Sequence, residues 1–450
     1  MIKSVEISGL FGNKNVKLSL ADKVNIFVGE NGLGKTTILN IINGILTLDF
    51  FALEKLPFKK VLIKTDENTQ RTIDKAIISE IVNSACERRP YLGDLERVRA
   101  RRLAELKNNL NYENIAKIVE FQKKVNTWGG DTRLTRVSNV YRELRSEYGS
   151  VVAELYGVFI ENGTLKKLVE IYNFAATLHD SIIYFPTYRR IEADLQNFDI
   201  SEEQIKNITK NSLINFGMND VESALREKLD TIGNGIKLGF HKMALTLLDS
   251  YTFKKSMDLS SVNLDRLNFI FGVLSNEINN DLKTEIINIV SNESLYTKND
   301  TLINFLNELL KIYESQEKNI ESIDRFVEIC NDYFGTKKLV FDREYLRVDI
   351  IEQESLHDDS ACRKLSFASL SSGEKQIVSL FSKLYLTEGN EYLILFDEPE
   401  LSLSIDWQRK LIPDIMLSQK CAKLIAVTHS PFIFDNDYKK NARALSDSFN

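Results

Sequence analysis

The sequence GENGLGKT occupies residues 29–36 and directly follows an apolar run, Asn25 to Val28. A run with helical character begins at Thr37. Glycines let the backbone curl so that successive N–H groups point at one anion, and the N-terminus of the following helix adds partial positive charge. The pattern G-x-x-x-x-G-K-[ST] between a strand and a helix therefore predicts a phosphate-binding loop. The residues expected to contact the ligand are Gly29, Glu30, Asn31, Gly32, Leu33, Gly34, Lys35, Thr36 and Thr37.

Two side chains of this loop have expected chemical roles. The Lys35 ammonium would neutralise β- and γ-phosphate oxygens, and the Thr36 hydroxyl would bind Mg²⁺. A glycine-rich turn followed by a chance Lys-Thr is the alternative, and the flanking strand and helix argue against it. The loop therefore predicts that the chain binds nucleotide phosphates together with Mg²⁺.

A second motif, YLILFDE at residues 392–398, is a continuous apolar run that ends in two carboxylates. A strand buried on both faces of a parallel sheet has this composition, and open α/β sheets bind ligands at the carboxyl ends of their strands. Asp397 would reach the metal ion, directly or through a water. Glu398 would polarise the attacking water as a general base.

A third motif, LSSGEKQ at residues 370–376, begins a run of apolar residues with helical spacing. Serine and glycine before a helix, with a glutamate in its first turn, are typical of an N-cap. The same geometry provides a second anion site, so both interpretations stay open at this point. The candidate ligand-binding residues here are Ser371, Ser372, Gly373 and Glu374.

Along the chain, the phosphate loop is followed by LSSGEKQ, then by the acidic strand and then by Thr428-His429-Ser430. This order of motifs resembles that of the ATP-binding cassette (ABC) ATPases. It is most similar to their soluble branch, which contains SMC, Rad50, RecF and OLD-type proteins and places helical insertions between the first and third motifs. The resemblance implies ATP as ligand and a homodimer in which Ser372 and Gly373 of one subunit complete the ATP site of its partner. His429, at the switch-histidine position, would contact the γ-phosphate and act with Lys35 and Glu398 in catalysis.

Residues 400–407 occupy the position of the family's D-loop, where Ser404 and Asp406 are the expected nucleotide contacts. OLD-like members often have His-Pro where this chain has Ser404-Ile405, which departs from a strict OLD pattern. The glutamine loop should follow a strand at residues 181–185, but that position lacks a glutamine. Gln196 is the nearby candidate, and the role stays unassigned.

The predicted fold class is α/β, an ABC-type P-loop ATPase head with a mixed sheet flanked by helices and with large helical insertions. We expect residues 1–80 to form the N-terminal lobe with the phosphate loop and residues 81–180 to form a helical insertion. Residues 181–200 would return to the head as a strand and loop, and residues 201–335 would form a second helical insertion. Residues 336–450 would form the C-terminal lobe, with the third motif, the acidic strand, the D-loop and the switch histidine.

The composition limits the classes of partner. The chain has 58 Lys and Arg against 64 Asp and Glu, a net charge of −6, which argues against a nucleic-acid coat over the whole surface. Its densest basic stretch runs from Arg88 to Arg102. One interpretation is contact with DNA or an acidic protein, but the acidic residues interleaved there favour an ordinary solvated helix face. Four isolated cysteines suggest neither zinc nor disulfides, and no apolar run is long enough for a membrane span. We therefore expect a cytoplasmic protein without a membrane partner.

The whole layout resembles the ATPase subunits of two-component anti-phage systems, PARIS first and Septu second, whose separate nucleases are of Toprim and HNH type. Since few residues follow His429, we expect any nuclease to be a separate effector chain. The resemblance implies a higher homo-oligomer built from dimers, and DNA or a phage protein would be the trigger. A RecF- or Rad50-like DNA-repair clamp, a scaffold that binds ATP with little hydrolysis and a transporter ATPase remain the alternatives.

Overall fold

The computed structural model describes residues 1–66, 69–86, 109–127, 137–178, 182–186, 218–249, 264–275, 278–291, 300–353, 362–387 and 391–449. The chain divides into two compact units. The first contains Met1–Asn215 and Gly389–Asn450, and the second contains Phe216–Glu388. The basic stretch from Arg88 to Arg102 and Gln196 lie outside the described residues. No helix in the described ranges is both long and apolar enough to cross a membrane.

The described part of the chain begins with three strands, and groups of helices and strands follow. The strands are β1 (Ile2–Leu10), β2 (Lys14–Ser19), β3 (Val24–Val28), β4 (Lys60–Thr65), β5 (Gln70–Asp74), β6 (Ile182–Phe185), β7 (Lys337–Asp342), β8 (Arg347–Gln353), β9 (Cys362–Leu365), β10 (Tyr392–Asp397), β11 (Cys421–Thr428) and β12 (Ala442–Ala444). The helices are α1 (Lys35–Thr47), α2 (Phe50–Lys55), α3 (Lys75–Cys86), α4 (Tyr112–Thr127), α5 (Val137–Tyr148), α6 (Ser150–Glu161), α7 (Leu165–Ala176), α8 (Met218–Asp249), α9 (Leu264–Val273), α10 (Asn280–Ser291), α11 (Asp300–Asn331), α12 (Ser372–Tyr385) and α13 (Ile405–Leu417).

The first unit contains two sheets. One is antiparallel, in the order β2-β1-β4-β5, and the other is parallel, in the order β12-β3-β11-β10-β6. Every residue of β10 is buried, as expected for a central strand covered on both faces. The predicted α/β fold class is therefore confirmed, whereas the antiparallel and parallel strands form two sheets instead of one mixed sheet.

The helices of the first unit pack onto the same hydrophobic core as its sheets. α1 contributes a buried apolar face, and helices from the predicted insertion at residues 81–180 add further side chains to this core. Ile42 of α1, Phe121 of α4 and Phe159 of α6 are members of this core. These helices therefore belong to the compact body that carries the phosphate loop.

The second unit consists of α8 to α12 and the antiparallel sheet β7-β8-β9. The long helices α8 and α11 pack against each other, and both contact α12. Asn331 at the end of α11 holds β7, because its side-chain amide donates to Leu339 O at 2.9 Å and accepts from Leu339 N at 2.7 Å. Residues 336–388 thus group with the second helical segment, which divides the predicted C-terminal lobe between the two units.

A buried lysine links the two sheets of the first unit. Lys423 on β11 is 6% exposed, and its ammonium donates to Ile2 O at 2.8 Å and to Leu20 O. Burial lowers the pKa of this group because the charged form loses its hydration. The two carbonyls therefore stabilise an otherwise costly buried charge.

Replacing Lys423 with methionine should lower the free energy of unfolding. The unbranched apolar chain of methionine leaves two buried carbonyls without their donor, a loss of about 1–3 kcal/mol. Chemical denaturation would measure the change, with Lys410→Met on the exposed side of α13 as the matched control. Equal stability of the two variants would contradict this account of Lys423.

Candidate active site

Three loops meet at one edge of the parallel sheet. β11 pairs with β3 so that Thr428 lies beside Val28, and β10 pairs with β11 so that Asp397 lies beside Val427. Since the strands are parallel, the segments that follow their carboxyl ends emerge on the same side. The phosphate loop, the segment after Asp397 and the segment after Thr428 are thereby brought together.

The phosphate loop depends on glycine at two positions of left-handed backbone. Gly32 has a φ of 84° and Gly34 a φ of 89°, values that other residues rarely adopt. A Cβ on Gly34 would also lie 2.6 Å from Cε2 of Phe11. Gly34 is the N-cap of α1, so the first turn of this helix, with Lys35 and Thr36, begins directly after the loop. The loop leaves Glu30, Asn31 and Gly32 exposed to solvent.

The Lys35 ammonium is buried inside this arrangement. Its side chain is 5% exposed, and Nζ donates to Gly29 O at 2.7 Å and to Glu30 O at 3.3 Å. Nζ also lies 3.3 Å from Oε1 of Glu398 and 3.1 Å from Nδ1 of His429. The lysine, the carboxylate and the imidazole predicted for catalysis therefore form one contact cluster.

Glu398 has a left-handed backbone conformation and a raised side-chain pKa. Its φ of 52° lies in the left-handed region, and its Oε1 lies 3.1 Å from Nε2 of His429. Burial, together with the neighbouring Glu400 carboxylate, raises the pKa of Glu398 to about 7, although Lys35 opposes the shift. Burial and the Lys35 charge lower the pKa of His429, which favours its neutral form.

The predicted metal ligands are oxygen donors at the same edge of the sheet. Asp397 ends β10 and is 1% exposed, and Thr36 lies in the first turn of α1. Burial raises the pKa of Tyr184 on the neighbouring strand β6, and the charge of Asp397 adds to this effect. A hydroxyl and a carboxylate fit Mg²⁺, which proteins hold by one or two side-chain oxygens while phosphates and waters fill its remaining positions.

The segment at the D-loop position leads into α13. Ser404 is the N-cap of this helix, with its hydroxyl accepting from Trp407 N at 3.3 Å, and the side chain of Asp406 is 87% exposed. Glu400 was not predicted as a site residue, but its carboxylate accepts hydrogen bonds from the residues around His429. The sequence signal available for it was a third acidic residue two positions after Glu398, separated from the Asp397-Glu398 pair by Pro399.

The predicted second anion site lies in the other unit, at the N-terminus of α12. Ser371 and Glu374 form a capping box, in which Ser371 N donates to Glu374 Oε2 at 2.7 Å and Glu374 N donates to Ser371 Oγ at 3.3 Å. The Lys337 ammonium holds Glu374 at 2.9 Å. Ser372 is exposed and Gly373 is buried. The N-cap interpretation is therefore confirmed for Ser371 and Glu374, and an anion at Ser372 and Gly373 stays a prediction.

Glu398 should make stability depend on pH in nucleotide-free, metal-free buffer. Its pKa is about 7 in the folded chain against 4.5 for an ordinary glutamate, so the folded protein binds this proton more tightly. The stability that comes from this tighter proton binding is complete below the unfolded pKa of 4.5, and it is lost as the pH rises through the folded pKa of about 7. The uncharged variant Glu398→Gln should therefore gain stability relative to the unmodified protein between about pH 5 and about pH 8.

Denaturation curves at both pH values would measure this gain. Glu113→Gln is the matched control, because the side chain of Glu113 is 78% exposed on α4. A stability difference between Glu398→Gln and the unmodified protein that stays constant with pH would contradict the assignment of a raised pKa.

Comparisons with solved structures give Smc head domains. The Smc head of Pyrococcus furiosus with an extended coiled coil, bound to the C-terminal domain of ScpA, is 14% identical, covers 96% of this chain and 90% of its own, and has a TM-score of 0.35. An SmcHead bound to the C-winged helix domain of ScpA is 13% identical, with the same coverage and a TM-score of 0.36. The Smc head of Pyrococcus yayanosii with a coiled coil and joint is 16% identical, covers 96% and 93%, and has a TM-score of 0.31.

None of the curated proteins matches the chain. A family model described as AAA ATPase domain matches residues 1–434. This match spans both units and includes the phosphate loop, the acidic strand and His429. The chain therefore belongs to the AAA ATPase domain family.

Proposed function

We propose that this chain binds Mg²⁺-ATP at the edge of its parallel sheet and hydrolyses it to ADP and phosphate. The observation that carries the proposal is the contact cluster of Lys35, Glu398 and His429 beside the phosphate loop. A buried ammonium can bind phosphate oxygens, and a carboxyl with a raised pKa can take up the proton of an attacking water beside it.

Each residue has a role that follows from its position. Lys35 and the N–H groups of the glycine loop bind phosphate oxygens, and residues 30–32 of this loop are exposed to solvent, where a ligand can reach them. Glu398 accepts the proton of the attacking water. His429 lies within hydrogen-bonding distance of Glu398 and would contact the γ-phosphate. Thr36 and Asp397 would hold Mg²⁺, which supplies positive charge that stabilises the transferred phosphoryl group.

The second anion site suggests how two protomers would share one nucleotide. A nucleotide bound by the loop of one protomer leaves phosphate charge that a helix N-terminus can stabilise. We propose that Ser372 and Gly373 at the tip of α12 in a second protomer supply this contact, assisted by Ser404 and Asp406 near the dimer interface. The capping box and Lys337 support this role, because they fix the backbone at the tip while the Ser372 side chain stays exposed.

Beyond ATP turnover, we propose that the dimer controls a separate nuclease effector in anti-phage defence. The support is the motif order and its resemblance to the ATPase subunits of PARIS and Septu. In this account, a DNA or phage-protein trigger changes the ATP-dependent state of a homo-oligomer, and the effector chain of Toprim or HNH type is held or released.

Two substitutions should separate nucleotide binding from hydrolysis. Lys35→Ala removes the buried phosphate ligand and should abolish ATP binding. Glu398→Gln keeps the shape of the site but removes the base, so it should retain ATP and reduce kcat by about 10²–10⁴-fold. Equilibrium binding of a fluorescent ATP analogue and phosphate release would measure both effects. Unchanged turnover in Glu398→Gln would contradict its role as base, and unchanged binding in Lys35→Ala would contradict the site itself.

Co-expression with a candidate nuclease chain should distinguish the defence role from a DNA-repair clamp. The defence proposal predicts a stable complex with a Toprim- or HNH-type chain that changes when ATP is bound. A RecF- or Rad50-like clamp instead predicts ATP-dependent DNA affinity that falls steeply with salt, because bound phosphates release counterions. A protein that binds ATP but turns it over no faster than Glu398→Gln would be a scaffold.

A further inference from the structure

The carboxylate of Glu400 accepts hydrogen bonds from three consecutive residues, of which His429 is the central one. Its Oε1 accepts from His429 N at 2.7 Å and from Ser430 N at 3.1 Å, and its Oε2 accepts from the Thr428 hydroxyl at 2.7 Å. A carboxylate is an acceptor-only group with enough lone pairs for all three donors. Hydrogen bonds to an ionised acceptor are about twice as strong as neutral ones.

These contacts fix the backbone at the point where β11 ends. The N–H groups of His429 and Ser430 lie beyond the last strand residue, Thr428, where the strand ladder no longer supplies them with acceptors. Thr428 Oγ1 accepts a further bond from Ser430 N at 3.0 Å. The main chain is therefore held at the residue that carries the imidazole and at the residue after it.

Gln408 of α13 forms a second link between the same two segments. Its Oε1 accepts from the Ser430 hydroxyl at 2.6 Å, and its Nε2 donates to Leu403 O at 3.0 Å. Gln408 is 9% exposed, and its bond to Leu403 O is buried. Glu400 and Gln408 together join the loop at residues 399–404 to the segment that carries His429.

We infer that Glu400 is a positioning residue, whose carboxylate holds His429 so that its ring contacts Lys35 and Glu398. The inference rests on the proposed function, because holding His429 in this position affects activity only if the chain hydrolyses ATP at this site. It also makes the position of His429 depend on the loop at residues 399–404, which precedes α13. A shift of this loop would be transmitted to the imidazole through the two side chains.

Alanine and glutamine at position 400 distinguish a role in positioning His429 from a role in overall stability. Glu400→Ala removes all three contacts, and we expect kcat to fall about 10- to 100-fold while KM for ATP changes less than about threefold. Glu400→Gln can accept from His429 N and Ser430 N through its amide oxygen and donate to the Thr428 hydroxyl, so kcat should recover to within about threefold. Glu113→Gln, on exposed α4, is the matched control.

Thr428→Val covers the case in which Glu400→Ala does not fold. It removes the bond from the Thr428 hydroxyl to Glu400 and the bond that this hydroxyl accepts from Ser430 N, while leaving both backbone bonds to Glu400. It should lower kcat by less than Glu400→Ala but more than the control. Unchanged kcat in the folded position-400 and Thr428 variants would overturn the inference. A rise in KM at constant kcat would also overturn it, because that pattern indicates lost nucleotide binding.

A second readout does not depend on turnover. The chain has four histidines, so isotope labelling of their rings gives a spectrum in which His429→Gln assigns one signal. We expect the His429 signal to shift in Glu400→Ala and Thr428→Val and to stay unchanged in Glu113→Gln. The same shift in a protein that does not hydrolyse ATP would refute the proposed function and leave the positioning role intact. An unshifted signal would refute the positioning role.

Discussion

The Lys35 ammonium lies almost wholly out of water at the edge of a parallel sheet, where a charge without oxygen partners would be strongly destabilising. Gly29 O accepts from it directly, and the Glu398 carboxyl lies close enough to compensate its charge. Gly29 belongs to the phosphate loop, and Glu398 belongs to the segment that follows β10. The pairing of β3 with β11 and of β11 with β10 is therefore what makes the buried charge tolerable, because it brings those loops to one edge.

The parts of the site that lie within one short segment could be predicted from the sequence. The glycine loop is recognisable because it needs left-handed backbone at fixed positions, and β10 is recognisable because a strand covered on both faces has to be apolar throughout. The capping box at Ser371 and Glu374 is equally local. In each case the physical requirement is met by residues a few positions apart, so the spacing alone carries the information.

Contacts between distant segments could not be predicted in this way. Lys35 and His429 are 394 positions apart, and only the strand order brings them together. Glu400 resembles an ordinary loop acid in the sequence, because the three donors it binds lie at the end of another strand and directly after it. Lys423 reads as a surface lysine interrupting an apolar run, yet it links the two sheets from inside. The grouping of α12 with α8 and α11 depends on helix packing, and apolar periodicity does not reveal which helices will meet.

The central claim is that one ATP is shared by two protomers, with Lys35 from one and Ser372 from the other. The most direct measurement mixes Lys35→Ala protomers with Ser372→Arg protomers and determines the mass and nucleotide content of the product. Alone, the first variant should bind no ATP and the second should bind ATP without dimerising. A mixed dimer has one site with both native surfaces, so the account predicts a dimer that retains one nucleotide. A mixture that behaves as the sum of its two components would contradict it.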